Sequence, residues 1–516
     1  MNDTAWPPAP LAPLFDMVGE ASAWWEGDAR GLTATYGAKV RSSQFAGGVV
    51  GAASRFFWGK PTAPNQSGKK LHLPLAADIA STVANLLFET APSFKATPPV
   101  TAEKDSEEGE VEENHTQRIL DELLNSEQFG ADLLVAAESA SALGGVYWRI
   151  QWDQSISPHP WITWVDADSA IPEFRYGRMV AVNFVEELAR IDEKYTHRLI
   201  TRYDTGRIDY QLMRGKDANL GEIVPLTEHP ATAGLVLDQN SGISLGAPIL
   251  AAGYIPNALP NPGFRKNGLL RNLGRPDLSP DLFDLFDLLD ETWTSLQREL
   301  RLGRMRITAP DYMLEKRGMG QGTTFDVDRE VYDPMYGVSP EDNPGVQFHQ
   351  PDLRVEKHLQ VSNGIVREVL RRVNISASTF GLDDTGTGAM TAREIEAKTK
   401  QSVQTWKAKS RYWKAGLLDA ARALVTLAGA MERTTVKPEL ITIDMAPPVQ
   451  ETMLDKAQTI QALDTARAIS TGEKIRMIHP EWDSVKQDQE IADILAETGA
   501  PAGDPFLTAP EDGLLE

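Results

Sequence analysis

The chain has 516 residues, enough for about three domains. Its 73 Asp plus Glu outweigh its 51 Lys plus Arg, for a formal net charge of -22; this excludes a broad basic surface gripping nucleic-acid phosphates, yet allows an acidic passage that DNA crosses without sticking. There is no Cys, which excludes disulfides, thiolate chemistry and cysteine metal sites.

The N-terminus MNDTAWPPAPLAPLFDMVGE is acidic and Pro-rich and lacks the basic start of a signal peptide. No window holds eighteen apolar residues, so no membrane span is expected. The chain reads as a soluble protein kept in a reducing compartment, or carried in a particle assembled there. Residues 11–26 predict a short helix ending in Trp24 and Trp25. Residues 71–90 predict a second, with Leu75, Ile79, Val83, Leu86 and Leu87 at helical spacing, Pro74 in the first turn and Pro92 as the stop. Seven acidic residues between Glu103 and Glu113 then predict a solvated loop.

From Thr116 to Leu143 the apolar spacing is helical again. GVYWRIQWD alternates and places Val146, Trp148 and Ile150 on one strand face. Strand-like runs continue, with a hairpin across Asp204–Gly206, so about 145–230 is a β-rich region. Residues 231–280 are rich in Gly, Pro and Asn; loops and one strand near Ala251–Ile255 are expected.

LFDLFDLLDETWTSLQRELRLGR follows. Phe286, Leu289, Trp293, Leu296 and Leu300 form a stripe stepping by three and four residues, and Phe283, Leu285 and Leu288 widen it. Ser279 is the expected N-cap, with Pro280 at the first helical position. A helix over Pro280–Gly303 is roughly 36 Å long. Its first half is apolar on more than one side, which suggests a central element or a subunit contact. Asp284, Asp287, Asp290 and Glu291 remain for the wet face. Met305 to Pro310 reads as a strand, and 311–350 as short strands and loops. Residues 352–375 are helical with an interruption at Ser362-Asn363-Gly364. Thr391 and Glu394 form a capping box that starts a helix running to Ala428, about 57 Å if unbroken. Ile395, Val403, Trp406, Trp413, Leu417 and Leu424 mark its buried side; Lys398, Lys400, Lys407, Lys409, Arg411 and Lys414 make its middle basic. LITIDMAPP is a strand. Residues 451–496 predict two or three helices, with breaks at Gly472-Glu473-Lys474 and His479-Pro480, before a disordered tail.

No catalytic or phosphate-binding motif stands out. GMGQG at Gly318–Gly322 has the wrong glycine spacing for a phosphate cradle. Asp166 and Asp168 could hold a metal or do acid–base work, and Asp326 and Asp328 likewise; exposed turns explain both pairs equally well. The aromatic strands GVYWRIQW and PWITW could form a sugar platform, although sheet packing is the commoner cause.

Three features recur in a fixed order: the Trp293–Arg304 helix exit running into Ile307-Thr308-Ala309-Pro310, the SASTFGLD segment from Ser376 leading to Met390-Thr-Ala-Arg-Glu-Ile, and Arg411-Tyr-Trp-Lys within the long basic helix. Together with the Leu73-Pro-Leu-Ala-Ala-Asp-Ile-Ala block and Leu86-Leu-Phe-Glu-Thr-Ala-Pro-Ser-Phe, this order resembles the portal protein of tailed double-stranded DNA bacteriophages, in the long-tailed branch of Gram-positive hosts. The resemblance covers most of 70–430. The family usually shows Thr-Ala-Thr-Glu where this chain has Arg393 in the third position.

The resemblance implies an α+β, multidomain, ring-forming portal fold: a dodecamer at one capsid vertex, with wing, stem, clip and crown. In this chain 1–279 would be wing, 280–303 the first stem helix, 304–351 the clip and 352–375 the second stem helix. Residues 376–390 would be the channel loop, with Thr379, Phe380, Gly381, Leu382, Asp383 and Asp384. Then 391–450 would be the wing helix and returning strand, with Thr391, Glu394, Lys398, Lys407, Arg411 and Lys414 as its cap and basic face, 451–500 the crown and 501–516 the tail. Phe283, Phe286, Leu289, Trp293, Leu296 and Leu300 would pack the stem and the neighbouring subunit, with Asp284, Asp287, Asp290 and Glu291 toward the channel. The implied partners are further copies of the chain, the terminase packaging motor, head–tail connector proteins, capsid and scaffold proteins, and double-stranded DNA passing through the channel without sequence specificity. No cofactor, metal or catalysis is implied. The competing readings are another connector or capsid-assembly protein, and a hydrolase using Asp166 and Asp168.

Overall fold

The computed structural model describes residues 5–27, 32, 71–96, 115–191, 194–216, 219–239, 241–303, 306–310, 333–335, 347–349, 352–382, 392–448, 453–466, 468–479 and 484–497. Helix and sheet are mixed, and the chain divides into two units, 1–386 with 398–448, and 387–397 with 449–516.

In the first unit, helices α1 (Ala12–Glu26) and α2 (Leu75–Phe88) lead to strand β1 (Ser93–Ala96), then α3 (His115–Leu123) and α4 (Glu127–Leu143). Pro74 stands one residue before α2 rather than in its first turn. The single helical run expected over 116–143 is two helices. Leu124 and Asn125 both donate to the Leu120 carbonyl, and Ser126 restarts the chain as an N-cap, accepting from the Phe129 amide at 3.3 Å. Gly144 closes α4 at φ +95°, and a Cβ there would meet the Gly274 carbonyl oxygen at 3.1 Å. Only glycine takes this turn easily, and it feeds the chain directly into strand β2 (Gly145–Gln151).

Strand β2 is followed by β3 (Trp161–Asp166), β4 (Ala170–Arg175), β5 (Arg178–Glu187), β6 (Thr196–Asp204), β7 (Arg207–Gly215), β8 (Glu222–Val224), β9 (Gly242–Ser244) and β10 (Ala252–Pro256). β2 is the centre of an antiparallel sheet ordered β10-β2-β3, with Val146 opposite both Ile255 and Asp166. It is buried on both faces, whereas its alternation suggested one buried face. A second antiparallel sheet runs β4-β5-β6-β7-β8, with β9 also on β7. The expected hairpin joins β6 to β7 through Thr205 and Gly206, the latter at φ +78°. The two sheets meet through aromatics: Phe184 packs edge-on against Tyr147 and Tyr203, and the Tyr203 hydroxyl donates to the Ile150 carbonyl at 3.2 Å.

Next come α5 (Pro280–Leu302), β11 (Arg306–Pro310), β12 (Asp333–Met335), β13 (Gln347–His349), α6 (Val355–Val373), α7 (Ala392–Glu432) and β14 (Ile441–Asp444). β11 pairs parallel with β12 and antiparallel with β13. α6 runs unbroken through Ser362-Asn363-Gly364, with Ser362 buried, so the expected interruption is absent. β14 pairs with β1, a strand the sequence pattern did not reveal. α7 continues four residues past Ala428.

The second unit holds α8 (Met453–Thr465), α9 (Thr471–Ile478) and α10 (Ser484–Glu497), packed in succession. Gly472-Glu473-Lys474 is no break; it forms the first turn of α9, capped by Ser470 accepting from the Glu473 amide at 3.2 Å. His479 ends α9 as expected. The acidic 103–113 segment, the 501–516 tail, Gly318–Gly322, Asp326 and Asp328 lie outside the described residues.

α7 lies against the β10-β2-β3 sheet. Gly416 makes the close approach possible, since a Cβ there would stand 2.4 Å from Ile255 Cγ1. One turn earlier, Trp413 is buried between Phe88, with ring centroids 4.9 Å apart, and Trp164, at 5.9 Å. Trp148 and Trp164 are therefore packing residues, whereas Trp152, just past the end of β2, is 50% exposed. Lys409, expected on the basic face, is instead buried. Its Nζ donates to Asp277 at 2.7 and 3.0 Å and to Asn257 Oδ1. Asp277 in turn accepts from the Ser141 hydroxyl at 2.7 Å, and its amide donates to the Ser141 carbonyl at 2.9 Å. Burial pushes the Lys409 ammonium below its ordinary pKa, and Asp277 pushes it back up.

Breaking this pair is expected to cost more than removing it. Lys409→Met alone should destabilise by about 3–5 kcal/mol, because Asp277 keeps a buried charge without its cation. Lys409→Met with Asp277→Asn should recover most of that loss. Denaturant unfolding of the two variants checks the order.

Candidate assembly and channel site

α5 and α6 form an antiparallel pair tied at both ends. Near the start of α5, Arg372 Nη1 donates to the Asp281 carbonyl at 2.9 Å and to its carboxylate at 3.3 Å. At the far end Glu299 gathers four donors: the Arg354 amide at 2.9 Å, Arg354 Nε and Nη2 each at 3.2 Å, and His358 Nε2 at 2.8 Å. These hydrogen bonds, Arg354 first, pull the Glu299 carboxyl down to about 2. Glu299 thus holds together the two points where the 303–354 segment leaves and rejoins the helix pair. The sequence does not signal this clasp, because Glu299 and Arg354 are 55 residues apart.

Between the ties, Leu282, Phe283, Phe286, Leu289 and Leu296 of α5 are buried, as are Ile365, Val369 and Leu370 of α6. The second apolar side of α5, read as the mark of a central element or a subunit contact, is covered in good part by its own chain. Trp24 of α1 stacks on Phe283 with centroids 6.0 Å apart and leans on Phe286 at 5.4 Å. Burying each Phe stabilises by about 2–3 kcal/mol over leaving it exposed, so the protomer gains from covering both. Trp293 is half-buried, while Leu300 is 47% and Leu288 44% exposed.

The four acidic candidates divide. Asp284 and Glu291 are exposed and Asp287 is half-buried. Asp290 is only 3% exposed, which corrects its placement on the wet face. Its carboxylate binds His72 Nδ1 and the Leu73 amide, each at 2.9 Å, and the neighbouring Thr294 hydroxyl accepts from the Leu71 amide at 3.0 Å. Asp290 is thus a clip that lays 71–73 along α5. An Asp at a helical position facing a buried backbone amide has no mark in the sequence that separates it from a solvated one.

After α6, residues 374–382 are fastened to α7. Asn374, at φ +57°, donates through Nδ2 to Thr405 Oγ1 at 2.9 Å, and Thr405 donates back to the Asn374 carbonyl at 2.6 Å. The Ser376 amide donates to Ser402 Oγ at 2.9 Å, and the Ser402 amide to Ser376 Oγ at 3.3 Å. Thr379 Oγ1 meets the same Ser402 hydroxyl at 2.8 Å. A 3-10 turn, Ala377–Phe380, ends at Gly381 with φ +66°; Phe380 and Leu382 are half-buried, and Arg367 donates to the Leu382 carbonyl at 2.9 Å. Asp383, Asp384 and Thr391 lie outside the described residues, and Glu394 and Lys398 are described only as helical backbone. On α7, Lys400, Lys407, Arg411 and Lys414 are exposed.

Asp166 precedes a 3-10 turn, Ala167–Ser169, and Asp168 lies within it. Burial, then the Asp166 charge, raises the Asp168 pKa. Among the described residues no group of three His, Cys, Asp or Glu is placed to hold a metal ion. No described helix is long and apolar enough to cross a membrane.

The family model described as "Phage portal protein, SPP1 Gp6-like" matches residues 58–502. Among solved structures, the chain is similar to an HK97 family phage portal protein from Corynebacterium diphtheriae. That match has 12% identity and a TM-score of 0.25, and covers 74% of this chain and 94% of the other; so loose a likeness carries no argument. None of the curated proteins compared with the chain is similar to it.

The Glu299 clasp should depend on pH with a defined sign. A carboxyl held at about 2, against an ordinary 4.5, contributes stability that is full above pH 4.5 and lost as pH falls toward 2. Glu299→Gln is expected to loosen the helix ends at neutral pH and to abolish that part of the pH dependence. Hydrogen exchange of the 296–302 and 354–360 amides across pH 6 to 3 reads this directly; equal protection in variant and parent would refute it.

Proposed function

Because the chain belongs to the SPP1 Gp6-like phage portal protein family, we propose that it forms the portal ring of a tailed bacteriophage, in the long-tailed branch of Gram-positive hosts. The ring is a dodecamer at one vertex of the capsid. Double-stranded DNA is packaged through it and later ejected, without sequence-specific contacts. The observation that carries this reading is the family match over residues 58–502.

In this reading α5 and α6 are the stem, and the segment they bracket, 304–351, is the clip that meets first the terminase motor and then the head–tail connector. Residues 376–390 approach the channel, with 374–382 anchored on α7 and Asp383 and Asp384 beyond the anchor. Residues 1–279 and α7 with β14 form the wing, and 451–500 the crown. Capsid and scaffold proteins are the partners during assembly in the host cytoplasm. The net charge of -22 suits a conduit, since acidic walls repel phosphates and let the duplex slide. ATP hydrolysis belongs to the motor, and the portal acts as a passive channel and docking platform.

Native mass spectrometry and negative-stain imaging of the purified chain test the reading. The expected result is a closed ring of roughly twelve 56.7 kDa protomers with a central hole. A small oligomer that never closes, even with scaffold protein added, would favour another connector or capsid-assembly role. ATP hydrolysis by the pure chain would also count against the portal reading.

A further inference from the structure

We propose that the exposed basic face of α7 docks against the acidic face of α5 on a second copy of this chain. The inference rests on the ring reading above and adds which two helix faces meet.

Lys400, Lys407 and Lys414 recur every seven residues, so they stand in a row about 10.5 Å apart at 1.5 Å per residue, with Arg411 between the last two. Among the described residues, none of these four side chains forms an ion pair or hydrogen bond. By contrast, Arg202, Arg207, Arg214, Arg354 and Arg372 pair with acids of their own chain. Like charges at four-residue spacing, such as Lys407 and Arg411, weaken an isolated helix. Among the described residues these cations stand together without a neutralising acid, and an acidic face on a second copy is suited to supply one.

The face of α5 that remains wet has the complementary pattern. Asp284 and Glu291 are exposed, seven residues apart, and without a side-chain partner among the described residues. Their spacing of about 10.5 Å matches one step of the α7 row. Leu288 sits between them and is 44% exposed. On α7 the lysine row is bordered by Ala408 and Ala415, also exposed and seven apart. Two small side chains let another helix come close, and Leu288 is the residue that would fill the space they leave. The acidic row turns basic at Arg298, which limits the match to the Asp284–Glu291 step. A contact between two different faces is heterologous, and heterologous contacts propagate around a ring until it closes.

Charge exchange tests this. One chain carries Lys407→Glu, Arg411→Glu and Lys414→Glu; a second carries Asp284→Lys and Glu291→Lys; a third carries all five. Because every changed residue is exposed, each chain should fold, as circular dichroism and thermal melting will verify. Each partial set should raise the protein concentration needed for half-assembly on the order of 100-fold, since like charges then face each other. The five-fold exchange should bring assembly back toward the parent value, as read by native mass spectrometry across a dilution series. Parent-like assembly of the α7 variant would overturn the inference while leaving the ring reading intact, and so would a five-fold variant no better than either partial set. Rings that persist but no longer retain duplex DNA would assign the face to nucleic acid and overturn it likewise. A parent chain that forms no ring would overturn the ring reading itself, and the inference with it.

Discussion

The first unit depends on the seating of one long helix on one small sheet. α7 can lie on β10 only because Gly416 offers no side chain to Ile255. With the backbone so close, Trp413 is driven into the core between Phe88 and Trp164, and Lys409 loses water altogether. The lysine is tolerated there because Asp277 and Asn257 replace the lost solvent, and Ser141 and its carbonyl hold Asp277 in place. A single packing contact thereby brings α4, the loop before α5, and α7 to one point.

The same helix organises the chain downstream. Ser402 and Thr405, one turn apart on α7, receive the exit of α6 through reciprocal hydrogen bonds with Asn374, Ser376 and Thr379. α6 is in turn tied to α5 by Arg372 with Asp281 at one end and by Glu299 with Arg354 and His358 at the other. The segment between the two helices is thus held at its base by charge-assisted bonds to one carboxylate. Such bonds are directional and stronger than neutral ones.

Much of this order is legible in the sequence because it arises from periodicity. The helix start at Pro280, the Asp204–Gly206 hairpin and the strand at Ile441 follow from side-chain spacing and turn chemistry. Errors appear where a local signal has two meanings. Gly364 and Gly472 read as breaks, yet both lie inside helices. The run from Thr116 reads as continuous, yet Ser126 caps a new helix. β1 is too short to show a period and exists because β14 lies beside it.

The sequence by itself determined most of the helices and strands, the acidic balance and the portal-family resemblance, since these reside in order, spacing and composition. The tertiary structure alone decided the fate of individual charges. Asp284 and Asp290, or Lys407 and Lys409, are interchangeable in any local pattern. One of each pair is wet, and the other is buried on a specific partner more than 130 residues away. The physical reason is that burial of a charge depends on long-range neighbours that supply hydrogen bonds in place of water, and no window along the chain contains them.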